Sequence, residues 1–546
     1  MAESSKVGVT LVGMEHTEDY NAGHQVASNS IRNGIVIVDF GSQYSHLIAR
    51  RIRELNVYCE VFSFNSSWKS VSSSINVQGI ILSGGPSSVY EEGAPLAPDW
   101  VYNNQLPVLG ICYGMQILAH NIGGIVSQAP AHEYGRSAVM CNSNSVLFPQ
   151  HIEGNTFQAW MSHGDQVAQV PPGFHVTASS ATCPIAAMEN LEHSIFGLQF
   201  HPEVHHTEYG SEIIDTFLQT ACVKRDWMPS RIVEDSINQI KSRVGDAKVI
   251  AAVSGGVDST VATALVHKSI GDQLSCFYVD TGLMRSGETE QVVKTFQNHM
   301  QLHFEVIYAA DEFMNILSGV VDPEQKRKLI GETFIRIFER EAQRIGGNAK
   351  FLVQGTIYPD VVESSGQDKD KSAKIKTHHN VGGLPEELRF DLIEPLRFMF
   401  KDEVRAVGTE LGLPDEMVWR QPFPGPGLAI RCLGEVTPNR LDRLRTADSI
   451  MQSELQQANL LRHETSQSFA VLLPVKSVGV MGDARSYEEV VALRAVVTND
   501  FMTADWAHLP YEILAKISRR IINEVRGVNR VVYDISTKPP ATIEWE

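Results

Sequence analysis

Short apolar runs closed by glycine or proline set the rhythm of this chain. Gly34-Ile-Val-Ile-Val-Asp39 leads into Gly41-Ser42 and predicts a buried strand that ends in a loop. Residues 46–55 then carry helical spacing, and residues 57–62, 79–82 and 107–111 repeat the strand pattern. Lys224-Arg-Asp-Trp-Met-Pro-Ser230 breaks the series, and a second one follows. It predicts a helix over 232–244 and strands over 248–253, 275–279, 304–308 and 351–354. Strands alternating with helices predict doubly wound, mostly parallel sheets, with chemistry in the loops at the carboxyl ends of the strands. The polar stretch 363–387 is long enough to be a lid or an insert. Pro422-Phe-Pro-Gly-Pro-Gly427 marks a last boundary. Helices over 440–461 and 513–525, with strand-like runs over 468–474 and 530–535, then predict an α+β module.

The expected architecture is therefore two α/β domains, 34–225 and 226–430, and an α+β domain, 431–546, behind a polar extension over 1–33. A length of 546 residues agrees with about three domains at roughly 100–200 residues each. With 43% hydrophobic and 20% charged residues the chain is expected to fold as a soluble globular protein. No run approaches the roughly 18 apolar residues of a membrane span, so no membrane partner is expected. A net charge of −18 disfavours a general binder of nucleic acid. The seven cysteines are scattered and never spaced as CxxC, which fits a reducing compartment. Between Lys6 and Arg32 there is no Lys or Arg, while Glu15, Glu18 and Asp19 are acidic. A signal or transit peptide is not expected, and the cytosol is.

Two stretches carry candidate chemistry. In Leu109-Gly-Ile-Cys112-Tyr-Gly-Met-Gln116 a cysteine stands between a strand end and a helix start, with glycine at −2 and +2. This is the logic of a nucleophile elbow, and the helix N-terminus favours a thiolate. A cysteine there needs a base and an orienting acid. Gly197-Leu-Gln-Phe-His201-Pro-Glu203 offers both, and Ser83-Gly84-Gly85-Pro86 offers backbone N–H groups for an oxyanion. Each is weak alone; together, on one α/β scaffold, they are specific. The second stretch is Val253-Ser254-Gly255-Gly256-Val257-Asp258-Ser259-Thr260, which follows a predicted strand and opens a helix. Small residues there let N–H groups and hydroxyls surround phosphate oxygens. It lacks the GKS or GKT of a Walker A loop. Tyr278 to Arg285 and Gln354-Gly355-Thr-Ile-Tyr-Pro-Asp360-Val-Val-Glu363 end further strands. Asp360 and Glu363 are candidates for Mg²⁺ or for a lid, since magnesium prefers oxygen ligands.

The GGP, GICYGMQ and FHPE set resembles the class I glutamine amidotransferases. The resemblance implies a triad of Cys112 as nucleophile, His201 as base and then acid, and Glu203 as its orienter. It also implies oxyanion donors at Gly85 and Tyr113, and glutamine contacts from Gln116 and a loop containing His163 and Asp165. The SGGVDS loop resembles that of the ATP pyrophosphatases. With Lys374-Ile-Lys376-Thr-His-His-Asn380 and the terminal Lys538-Pro-Pro-Ala-Thr-Ile-Glu544-Trp-Glu546, the chain from Gly34 to Glu546 is similar to the glutamine-hydrolysing GMP synthetases. That implies a ligase that adenylates xanthosine 5′-monophosphate (XMP) with ATP and aminates it with ammonia from glutamine. It implies ATP at Ser254 to Thr260 and Gly355, Mg²⁺ at Asp258, and XMP at Arg327, Gln467, Arg530, Lys538, Ile543 and Glu544. Asp360, Glu363, Lys376, Lys401 and Asp402 are implied for the lid and the adenylation site. A homodimer formed through the C-terminal domain is implied too.

Overall fold

The computed structural model describes residues 31–142, 145–365, 390–481, 484–498, 501 and 503–546. The lid stretch with Lys376 and nearly all of the 1–33 extension lie outside the described residues; Arg32 and Asn33 already belong to the first strand, Arg32–Asp39. The chain divides into two compact units: residues 1–52 with 57–224, and residues 53–56 with 225–546. No described helix is long and apolar enough to cross a membrane.

The first unit is built on a nine-stranded sheet. Five strands are parallel, in the spatial order Cys59–Ser63, Arg32–Asp39, Ile75–Leu82, Val108–Ile111 and Ile195–Leu198. Ile35 to Val38 are fully buried whichever face they point to, which is why this strand reads as a continuous apolar run. The other four strands, Ala187–Asn190, His175–Ser180, Ile125–Cys141 and Thr156–Gln169, extend the sheet antiparallel. The sequence pattern did not reveal them. Ile125–Cys141 is mostly solvent-facing and contains Pro130 and Gly135, so no apolar run marks it.

The second unit holds an all-parallel five-stranded sheet, ordered Phe304–Tyr308, Leu274–Asp280, Lys248–Val253, Ala349–Val353 and Asp391–Ile393. A four-stranded sheet follows, in which the long antiparallel pair Gln467–Met481 and Ala484–Val497 is flanked by Asp505–Trp506 and Val528–Tyr533. One apolar cluster runs through both parts, from Ile250, Phe277 and Leu352 to Leu444, Leu472 and Ile521. The helix expected over 440–461 is two helices, Pro438–Gln457 and Leu460–His463. Asn459 between them takes a left-handed φ of 56°, which an asparagine tolerates and a helix interior does not.

Candidate active sites

Three neighbouring parallel strands deliver the candidate glutaminase residues at their carboxyl ends. Ile75–Leu82 leads to Ser83–Gly85, Val108–Ile111 leads to Cys112, and Ile195–Leu198 leads to His201. Cys112 turns the chain from strand to helix with φ 54° and ψ −107°, a conformation that strains a residue with a side chain. Its N–H is held by the Leu198 carbonyl at 2.7 Å. The flanking glycines are required by contact: a Cβ on Gly110 would lie 2.6 Å from the Gly114 carbonyl, and one on Gly114 would overlap the Leu82 carbonyl. Tyr113 is the first residue of the helix Tyr113–Asn121, so its N–H has no partner within the helix. Gly85 packs so closely that a Cβ would meet the Tyr113 ring at 2.9 Å. Both N–H groups implied for the oxyanion therefore belong to one tight loop pair.

His201 and Glu203 are buried, at 3% and 0% exposure, and His201 Nδ1 lies 2.7 Å from Glu203 Oε1. Burial works against a charge on His201, yet the Glu203 carboxylate and the Cys112 sulfur outweigh it and hold the imidazole well above its ordinary value. With Nδ1 committed to Glu203, Nε2 is left for the sulfur. The ring of Tyr44 packs edge-on at 5.1 Å, and the Thr207 hydroxyl donates to the His201 carbonyl at 2.7 Å. Cys112, His201 and Glu203 are thus brought together as the motif spacing implied.

The expected loop around His163 and Asp165 is instead part of the strand Thr156–Gln169. Its pairing with Ile125–Cys141 places Glu133 opposite His163. His163 Nε2 is 3.0 Å from Glu133 Oε2 and Nδ1 is 3.0 Å from the Asp165 carbonyl, so the ring is fully engaged. Burial pulls His163 below its ordinary value, although Glu133 works the other way. The Gln116 amide donates to the Asp165 carbonyl at 2.8 Å, and Tyr90 donates to the Asp165 carboxylate at 2.8 Å. Glu133, His163 and Cys183 lie close enough to share a metal ion. Their chemistry disfavours one: hydroxyls of Ser137, Ser180 and Thr182 already donate to Glu133 Oε1, and burial pushes the Cys183 thiol up to about 12.

In the second unit the strand Lys248–Val253 ends in the loop Ser254 to Gly256, and the helix Val257–Ile270 begins. Gly255 has φ 75°. The loop is held internally: Gly256 N donates to Ser254 Oγ at 3.4 Å, Ser259 Oγ to the Gly256 carbonyl at 3.1 Å, and Thr260 Oγ1 to the same carbonyl at 2.8 Å. Gly355 backs onto it, since a Cβ there would lie 3.0 Å from the backbone of Asp258 and Ser259. Lys401 pairs with Asp258 Oδ2, and Asp258 Oδ1 is buried without a partner among the described residues. Asp402 follows Lys401 in the first turn of the helix Lys401–Glu410. Asp360 accepts from Ile357 N at 3.0 Å at the start of the helix Tyr358–Ser365, in which Glu363 also lies. Arg420, not singled out by any motif, hydrogen-bonds the Gly255 carbonyl at 2.6 Å and pairs with Glu288.

The C-terminal segment folds back onto buried cations. Arg431, fully buried, grips Glu544 with two bonds of 2.7 and 3.1 Å and lies 4.0 Å over the Phe469 ring. Gln467 Nε2 reaches the same carboxylate at 2.9 Å. Ile543 packs with Phe469 and Val471. Lys326 and Arg327 both hold Glu546, through its side chain at 2.6 Å and its main-chain carbonyl respectively. Lys538 Nζ bonds the Phe501 carbonyl at 2.7 Å. Arg530 is exposed on Val528–Tyr533 and bonds Ser477 at 3.2 Å. Arg530 pairs with Val490 and Gln467 with Val496, so six residues of one strand, about 20 Å, separate their levels. Within one chain Arg530 is not brought to Gln467 and Glu544.

Comparison with known proteins decides what family holds these sites. Residues 36–221 match the family Glutamine amidotransferase class-I, residues 233–332 match Asparagine synthase, and residues 453–545 match GMP synthase C terminal domain. A GMP synthase [glutamine-hydrolyzing] of Dehalococcoides mccartyi is 55% identical over 519 residues, covering 95% of this chain and 96% of its own. One from Carboxydothermus hydrogenoformans is 55% identical over 513 residues, covering 94% and 99%. One from Clostridium perfringens is 53% identical over 517 residues, covering 94% and 100%. The chain belongs to the glutamine-hydrolysing GMP synthase family.

In this GMP synthase family member the elbow and the phosphate loop fall within the first two matched regions, and Gln467, Glu544 and Lys538 within the third. The motifs did not single out Arg420, Arg431 or Gln199. Arg420 and Arg431 look like any surface cation until the fold buries them. Gln199 carried one signal, its place two residues before His201, just past the strand Ile195–Leu198.

Proposed function

We propose that this chain makes GMP from XMP, with glutamine or free ammonia as nitrogen source and ATP as co-substrate. In the first unit, Cys112 gives its proton to His201 and attacks the carboxamide carbon of glutamine. The oxyanion is stabilised by the N–H groups of Gly85 and Tyr113. His201 returns the proton to the departing ammonia, and water then releases glutamate from the thioester. Gln116 and the Asp165 region hold the substrate, while His163 keeps Asp165 in place. In the second unit, the N–H groups and hydroxyls of Ser254 to Thr260 hold the ATP phosphates. The C2 oxygen of XMP attacks the α-phosphate, pyrophosphate leaves, and ammonia displaces AMP from C2. Gln467, Ile543, Glu544, Lys538, Arg327 and Arg530 are the candidates for XMP contact, and Asp360, Glu363, Lys376, Lys401 and Asp402 for the adenylation site and lid.

A Mg²⁺ ion fits the same reading: the unpartnered Asp258 Oδ1 is a hard oxygen donor beside the phosphate loop. Such an ion would offset charge on the phosphates of ATP. The boundaries 34–225, 226–430 and 431–546, a cytosolic location and a homodimer through the last of these domains complete the proposal. Seven free cysteines support the cytosol.

The observation that carries the reading is the Cys112 elbow facing the His201–Glu203 pair, on a chain that also holds the SGGVDS loop. Cys112→Ala is expected to abolish GMP formation from glutamine and to leave formation from ammonium salts intact, followed by loss of XMP absorbance. Loss of both activities would overturn the division of labour.

A further inference from the structure

Gln199 is fully buried at the end of the strand that leads to His201, and its amide Nε2 lies 3.7 Å from Cys112 Sγ. Its Oε1 accepts from Gln116 Nε2 at 3.3 Å, and Gln116 Nε2 also donates to the Asp165 carbonyl at 2.8 Å. A backbone carbonyl can only accept, so it settles which end of the Gln116 side chain is the NH₂ group. Gln199 is settled in turn. Flipped, it would set its NH₂ group against that of Gln116 and its oxygen against the sulfur. The chain of amides therefore has one polarity, from the Asp165 carbonyl to a donor aimed at Cys112.

The sulfur has an opposing neighbour. The Ser162 carbonyl is 3.7 Å from Sγ, a contact that suits an S–H donor and opposes an anion. When the proton passes to His201, the Ser162 contact turns unfavourable, while the Gln199 contact becomes a charge-assisted hydrogen bond. The two neighbours thus favour opposite protonation states of the same atom.

We propose that Gln199 is a further catalytic residue of the glutaminase, the donor that stabilises the Cys112 thiolate before its S–C bond to glutamine forms. No other atom changes hands: the proton goes from Sγ to His201, and the negative charge stays on sulfur until the acyl bond forms. The proposal rests on Cys112 being the nucleophile. Gln116 then has two tasks, contact with the substrate and orientation of Gln199.

Two variants of the full-length protein test this. Gln199→Glu keeps the shape but aims an oxygen at the sulfur, and Gln199→Met removes the donor without adding charge. Iodoacetamide alkylation of Cys112 is followed across pH by peptide mass spectrometry, which separates it from the exposed Cys222. Hydrogen bonds to charged groups predict alkylation about tenfold slower near pH 7, with the larger effect for the glutamate. At high pH both variants should converge on the parent rate, because the thiolate then forms regardless, and that convergence also shows that the site is intact. A parent-like rate at every pH, or a slowing by the same factor at every pH, would overturn the role of Gln199. If that happens while Cys112→Ala still loses glutamine-dependent synthesis, only the Gln199 role falls. If Cys112→Ala still uses glutamine, the nucleophile reading falls with it.

Discussion

The His201–Glu203 pair shows how much of the glutaminase chemistry sits in single contacts. A buried imidazole would ordinarily shed its proton; here a fully buried carboxylate at 2.7 Å and the sulfur hold the proton on. Glu203→Gln keeps the hydrogen bond and removes the charge. Only the sulfur is then left to oppose burial, and His201 releases its proton at lower pH. The alkaline limb of the kcat/KM profile for glutamine should therefore move to lower pH. The rate at neutral pH should fall by roughly 10²-fold or more, comparable to losing general acid–base assistance. Stopped assays of glutamate release across pH check both, and an unmoved alkaline limb would show that Glu203 acts by position alone. At this scale the motifs were informative, because elbow, base and acid each need one residue type at one spacing. Arg431 was not legible: an arginine in sequence is a solvated cation until Phe469 and Glu544 close around it.

At the scale of elements, the parallel strands were legible and the antiparallel ones were not. Strands covered on both faces must be apolar throughout, so Ile35 to Val38 and Ile80 to Leu82 stand out. Thr156–Gln169 carries His163, Gly164 and Asp165 in its middle, so residues 162–165 read as a loop. The elbow itself depends on how tightly the helix Tyr113–Asn121 meets the strand Ile75–Leu82. Gly114→Ala places a methyl group against the Leu82 carbonyl, a backbone atom that cannot swing aside. The gain of about 1 kcal/mol in helix propensity is smaller than the overpacking cost of about 1–3 kcal/mol plus lost elbow geometry. The expected result is a lower urea midpoint for the first unit and loss of glutamine use, with ammonia-dependent synthesis retained. An unchanged midpoint with full glutaminase activity would show that the elbow tolerates the methyl.

For the whole molecule, a net charge of −18 coexists with two phosphorylated nucleotides as substrates in the proposed reaction. Binding then comes from backbone loops and placed cations rather than from a basic surface. The hairpin Gln467–Met481 and Ala484–Val497 exposes Val475, Val478, Val480 and Tyr487, at 55–75% exposure. An exposed apolar patch of this kind fits the proposed homodimer. Val480→Asp is expected to shift the molar mass measured by light scattering from dimer toward monomer, while glutamine hydrolysis persists. A monomeric parent protein would remove the proposal.

The linear chain by itself determined the alternation of strand and helix, the elbow, the FHPE segment and the phosphate loop. These depend on local backbone freedom, on periodic burial and on residue chemistry, all of which are written residue by residue. Tertiary structure alone decided that three strands from distant parts of the chain end side by side, bringing Ser83–Gly85, Cys112 and His201 together. It also decided that Gln116 and Gln199 form a polar wire ending at the sulfur, and that Arg431 is buried on Glu544. The physical reason is that the amide and arginine contacts join residues 83 to 113 positions apart. Their meaning lies in burial and hydrogen-bond direction, which no single stretch of sequence contains.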